Sequence, residues 1–196
     1  MKDYIETRIK EHLSVFDKMI SDSALVKQIT AGANACVASY QAGGRIFFCG
    51  NGGSAADSQH LAAELVSRFY LERPGLAAEA LSTNTSSLTA IGNDYEYNRI
   101  FARQLEANGR AGDVLFGIST SGNSQNIVAA FKSAKEKGII TIGFTGNFEG
   151  MAMEEYANIM IKIPSTVTPR VQEAHIFVGH LICEYIEETL FPESRK

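Results

Sequence analysis

The sequence predicts an α/β protein: a doubly wound parallel sheet of five strands, preceded by a helical pair and followed by a long helix. Three observations carry that prediction. Five short, nearly continuous apolar runs recur along the chain, helical patterns fill most of the gaps between them, and two runs end in glycine- and serine-rich turns that open into helices. Strands that are apolar on both faces and separated by helices belong to a parallel sheet covered on both sides.

The elements follow in order. Ile5, Ile9, Leu13, Phe16 and Ile20 recur at helical spacing. Ser21-Asp22-Ser23 then offers a cap for a second helix through Leu25, Ile29, Ala33 and Val37, which Gly43-Gly44 ends. These helices precede the repeating unit, and their apolar faces suit either a subunit interface or the chain's own sheet. The strand runs are RIFFCG (45–50), AAEALS (77–82), DVLFGIS (113–119), IITIGFTG (139–146) and NIMIKIP (158–164). RVQEAHIFVGHLICEYIEE supplies the last helix. No repeat or long linker divides the chain, so residues 1–196 read as a single domain, with 1–44 as an oligomer-forming arm and 45–196 as the α/β core.

Composition sets the class. The chain has 196 residues, 45% hydrophobic and 20% charged, with a net charge of −4, which describes an ordinary soluble globular protein. It lacks the basic footprint of sequence-independent nucleic-acid binding. Cys36, Cys49 and Cys183 are odd in number and set in apolar company, as expected of core thiols in a reducing compartment. The N-terminus carries no apolar signal segment, and no stretch approaches the roughly 18 apolar residues of a membrane span. The expectation is a cytoplasmic protein without nucleic-acid or membrane partners.

Two strand ends look alike. GNGGSAAD follows the first strand and STSGNSQN the third, each leading into a helix. Glycine lets the backbone approach a ligand, hydroxyls donate hydrogen bonds, and a helix's first-turn amides add donors and partial positive charge. Such a turn grips phosphate without a lysine. Ordinary turn chemistry uses the same residue types, but Ser119, Thr120, Ser121 and Ser124 supply more hydroxyls than a cap uses. GNGGSA also fits the dinucleotide pattern G-x-G-x-x-A. The acidic residue that would support it after the second strand is absent, with Ser82-Thr83-Asn84 in its place.

On the helix after the first strand, His60 and Glu64 share a face. That spacing supplies two ligands to a metal or sets an acid beside a base. An exposed His/Glu pair is the plain alternative, but the apolar flanks Leu61, Ala62, Ala63 and Leu65 and the grip at the helix start favour a site. The last helix carries Gln172, His175 and His180. Gln172 and His180 are separated by about 12 Å along the axis, so a site using both lies between them or is shared with a neighbouring subunit. His175 points well away from His180, and His12 defaults to a packing or solvated role. The residues alone leave a metal site, an acid–base pair and core histidines all open.

The chain resembles the sugar isomerase (SIS) domain proteins, and above all the phosphoheptose isomerases. CGNGGSAADSQHLAAEL, AIGNDY, GDVLFGISTSGNS and RVQEAHIFVGH carry that resemblance over nearly the whole length. It implies conversion of sedoheptulose 7-phosphate to D-glycero-D-manno-heptose 7-phosphate, the first step of bacterial heptose nucleotide biosynthesis, which feeds lipopolysaccharide core, capsule or protein glycans. It implies phosphate contacts from Ser119, Thr120, Ser121 and Ser124, and sugar contacts from Asn51, Gly52, Gly53, Asn93 and Asp94, with Ser54, Glu64 and Gln172 also in the substrate-binding set. It implies one zinc ion per subunit on His60, Glu64, Gln172 and His180, Glu64 and His180 as the catalytic pair, and a homotetramer with sites near subunit boundaries. Aldose–ketose isomerisation passes through an enediol and needs a base, an acid and stabilised negative charge. A carboxylate bound tightly to metal is a poorer base, so either substrate displaces Glu64 or the metal is chiefly structural.

Two features depart from this pattern. Some members have an aspartate where this chain has Pro169, which bears on recognition of the sugar end. The ending TLFPESRK resembles a non-catalytic branch that binds the replication initiator DnaA, a branch that lacks the residues matching Glu64 and His180. That branch is the alternative function. A sugar-phosphate-sensing regulator is disfavoured because no DNA-binding segment is appended.

Overall fold

The structure, a computed structural model, describes residues 1–192; the last four residues of the TLFPESRK ending lie outside the described residues. Helices α1 (Lys2–Ser21) and α2 (Ser23–Gln41) meet at Asp22, whose carboxylate accepts the amides of Ala24 and Leu25 and so caps α2. Then come β1 (Ile46–Gly50), α3 (Gly53–Val66), β2 (Ala78–Ala80), α4 (Thr85–Asp94), α5 (Ala102–Asn108), β3 (Val114–Ile118), α6 (Gln125–Glu136), β4 (Ile140–Gly146), β5 (Ile159–Ile163) and α7 (Thr168–Leu190). Pro169 sits in the first turn of α7, where its missing N–H costs nothing.

All strand pairs are parallel, in the order β2-β1-β3-β4-β5. The strand order reverses between β1 and β3, so the chain leaves their carboxyl ends toward opposite faces and opens a crevice there. β1 and β3 end level, Gly50 opposite Ile118.

Side chains alternate across this sheet. Ile46, Phe48, Val114, Phe116 and Ile142 join Leu61, Ala33, Val171 and Val178 in one core, under α2, α3 and α7. Phe47, Cys49 and Leu115 join Phe101, Leu105, Ile127 and Phe131 in the other, under α5 and α6. The doubly wound architecture follows directly from strands apolar on both faces. All three cysteines are buried and free.

One expectation changes and one alternative narrows. The second strand shrinks to three residues because it lies at the sheet edge, pairs only with β1 and is built from Ala and Glu, poor strand formers. On α1 the buried positions are Val15 and Met19, with Phe16 partly covered, while Ile5, Ile9, Leu13 and Ile20 are exposed. The helical stripe seen in the sequence therefore points away from the chain's own sheet. Among the described residues, no helix is long and apolar enough to cross a membrane.

Candidate active site

The chain leaves β1 through Asn51 and Gly52. Gly52 has φ +56, a left-handed conformation that glycine adopts without strain, and it occupies the N-cap of α3 without any side-chain cap. The turn after β3 repeats the device. Ser124 stands at the N-cap of α6, where serine ordinarily caps the helix, yet it makes no cap bond. Its Oγ lies 2.9 Å from Ser119 Oγ instead. Both helix starts thus keep first-turn amides free of side-chain caps, and the second adds a hydroxyl pair. Ser119 is buried, Thr120 half-buried and Ser121 exposed, where its Oγ accepts the Asn123 amide.

The two turns are tied together. Asn51 and Asn126 exchange side-chain amide hydrogen bonds, 2.9 Å from Asn51 Nδ2 and 2.8 Å from Asn126 Nδ2. Asn51 Oδ1 also accepts the Tyr97 hydroxyl at 3.2 Å. Ser54 is buried inside α3, with its carbonyl accepting Ser58 Oγ. Asn93 and Asp94 are exposed on the last turn of α4, where they bond each other.

The reactive side chains meet where α3 packs beside α7. Gly53 at the start of α3 meets Gln172 near the start of α7, and His60 and Leu61 further along meet His180 and Gly179, so the helices are parallel. A methyl group at Gly179 would stand 2.6 Å from the Leu61 side chain, and one at Gly53 would overlap the Gln172 amide. Glycine at both positions permits the close approach. His60 Nε2 lies 2.8 Å from His180 Nε2 and 3.3 Å from Glu64 Oε1, and the ligand atoms of the three residues all fall within 4.8 Å of one another. Tetrahedral coordination with bonds near 2.0–2.1 Å separates ligand atoms by about 3.3 Å, so this donor set fits a metal such as zinc. Gln172 stands against the start of α3, and its amide donates toward Asp57.

Burial lowers the pKa of His180 and the adjacent His60 adds to it, against the opposing pull of Glu64; the neutral ring is thereby favoured. Asp57, absent from the sequence-based candidates, sits half-buried with Oδ2 lacking a hydrogen-bond partner, and burial raises its pKa against the effects of Gln172 and His60. Its position three residues before His60, on the same face, was a usable signal. Asn126 had none beyond its place in the serine-rich turn. His175 is fully buried against Phe144 in the core, and His12 bonds Glu173 at 2.7 Å on the surface.

A parallel sheet with two helix starts free of side-chain caps at its switch point, joined to a His/Glu/His cluster, defines a doubly wound α/β protein with a polar site at its strand ends. The SIS domain model matches residues 10–146, and the chain belongs to the SIS-domain family. Within it, the chain is 52% identical to the phosphoheptose isomerase of Clostridium acetobutylicum over 99% of this chain and 98% of that one. The phosphoheptose isomerase structure from Neisseria gonorrhoeae superposes with a TM-score of 0.88 at 38% identity, covering 95% of this chain and 98% of that one. The one from Francisella tularensis gives 0.89 at 33%, covering 95% and 97%. The chain is a member of the phosphoheptose isomerases.

Proposed function

We propose that the chain interconverts sedoheptulose 7-phosphate and D-glycero-D-manno-heptose 7-phosphate in the cytoplasm, the entry to heptose nucleotides for lipopolysaccharide or another heptose-bearing glycan. One observation carries the reading: His60, Glu64 and His180 converge where α3 meets α7, and α3 opens from one of two helix starts that lack side-chain caps. A protein that only bound a partner would have no use for that cluster. Ser119, Thr120, Ser121 and Ser124 hold the phosphate with the α6 amides. Asn51, Gly52, Gly53, Ser54, Asn93, Asp94 and Gln172 hold the sugar.

His60, Glu64, Gln172 and His180 would hold one zinc ion per subunit. Bound zinc would polarise the open-chain carbonyl and stabilise developing negative charge. Glu64 takes the proton from C1 of the ketose and returns it to C2. His180 moves a proton from O1 to O2, as its preference for the neutral ring suits, and likewise serves ring opening. Both residues end as they began, and the substrate changes from ketose to aldose. Residues 1–196 act as one domain that assembles as a homotetramer through the exposed apolar residues of α1 and through Phe177, Leu181 and Tyr185 of α7.

The test is to incubate zinc-supplemented protein with sedoheptulose 7-phosphate and follow the aldose phosphate by NMR, with Glu64→Gln beside it. Turnover that disappears in the variant supports the assignment. A wild type without turnover refutes it and directs the search to a protein partner such as the replication initiator. For the grip, Ser119→Ala combined with Ser124→Ala should raise KM about 10- to 100-fold, since a hydrogen bond to a charged group contributes about 1.5–3 kcal/mol.

A further inference from the structure

Behind the His/Glu/His cluster lies an ion pair withdrawn from water. The side chains of Arg73 and Glu187 are 0% and 1% exposed, with Nε and Oε1 2.8 Å apart. Among the described residues, the pair's other hydrogen bonds go to backbone. Arg73 Nη2 donates to the carbonyl of Glu64 at 2.8 Å, and Nη1 to those of Leu65, Ser67 and Pro74 at 2.6, 3.1 and 3.2 Å. Glu187 accepts three consecutive amides, those of Phe69 and Tyr70 at 2.8 Å and Leu71 at 3.0 Å.

These contacts reach both members of the proposed catalytic pair. Arg73 satisfies carbonyls in the last turn of α3, which lack helical partners, and one of them is Glu64's own. Glu187 lies on α7 seven residues beyond His180 and holds the segment after α3. That segment sets the Phe69 ring against the His180 ring, with centroids 5.4 Å apart. The attraction between the two charges is largely offset by their desolvation, so the pair acts chiefly through the backbone groups it satisfies. What an apolar replacement cannot reproduce is the fixed geometry between α3, the segment 67–72 and α7.

We propose, building on the isomerase reading above, that Arg73 and Glu187 are positioning residues whose buried pair sets the spacing of Glu64 and His180 and so assembles the metal-ligand group.

The experiment uses full-length protein, Co²⁺ as the metal probe and sedoheptulose 7-phosphate as substrate. The double variant Arg73→Met with Glu187→Leu removes both charges at similar volume. It leaves the Phe69, Tyr70 and Leu71 amides without their acceptor and should melt below wild type; the folded variant should bind Co²⁺ about 10- to 100-fold more weakly and show an altered Co²⁺ visible spectrum. Its kcat should fall by a similar factor, with KM held within about threefold. Arg73→Lys keeps the charge but cannot fork to the Glu64 and Leu65 carbonyls; it should fold and give intermediate values. A folded double variant with wild-type spectrum, affinity and kcat overturns the proposal. Should the double variant not fold, Arg73→Lys matching wild type in all three overturns it equally. Wild-type protein that neither binds Co²⁺ nor turns over substrate brings down the isomerase reading itself, whereas active wild type with unaffected variants removes only the role of the pair.

Discussion

The two sides of α7 carry one histidine each, with opposite surroundings. His180 faces α3, where His60 stands 2.8 Å away and Glu64 joins the cluster. His175, five residues earlier, is turned about 140° around the helix and is fully buried beside Phe144 on the sheet. Burial lowers the pKa of both rings, that of His175 to about 4. Desolvation therefore does not distinguish a histidine in the polar cluster from a packing one. The distinction lies in the partners that a second helix brings.

The sharpest break would come from removing each ring in turn. His180→Gln should lower kcat by about 10²- to 10⁴-fold, the usual range for losing a general acid–base group. His175→Leu should leave kcat within about twofold in the same NMR assay. Equal losses in both would erase the contrast between the two sides.

His175 should register in stability instead. Below pH 6.5 the unfolded chain protonates this residue, whereas the fold keeps it neutral down to about pH 4. Its stabilisation is thus complete above pH 6.5 and is lost as pH falls toward 4, about 3 kcal/mol across the window. Urea titrations of metal-stripped protein at pH 7 and 4.5 measure it, and His175→Leu should flatten the difference.

Gly53→Ala probes the site side more gently. The new methyl meets the far end of a flexible glutamine, so the fold should hold within a few degrees in melting temperature. Displacing Gln172 should weaken zinc affinity about tenfold in a chelator competition. Smallest of all, Tyr97→Phe removes one exposed donor to Asn51 and should raise KM about two- to fivefold, with kcat unchanged.

Much of the fold was legible in the sequence because each strand and helix announces itself over a few adjacent residues. The five apolar runs, the Asp22 cap and the two glycine turns are all local signals. The outward stripe of α1 was visible as a stripe, but which side of the helix the core takes depends on α7 and the sheet. His60 and Glu64 could be paired from spacing alone. Their meeting with His180 could be named only through the family, since it depends on α3 and α7 running parallel past Gly53 and Gly179. Asn126 and the Arg73–Glu187 pair left no sequence signal because their partners are 75 and 114 positions away.

The separation of His60 and His180 has a meaning in time as well as in space. They lie 120 positions apart, and a ribosome adding about 5–20 residues per second needs roughly 6–24 s to cover that stretch. By the end of that interval the nascent chain owns both glycine- and serine-rich turns and two members of the cluster, but not the third. The cluster is therefore completed only when α7 leaves the ribosome and docks, after every strand of the sheet has already been made.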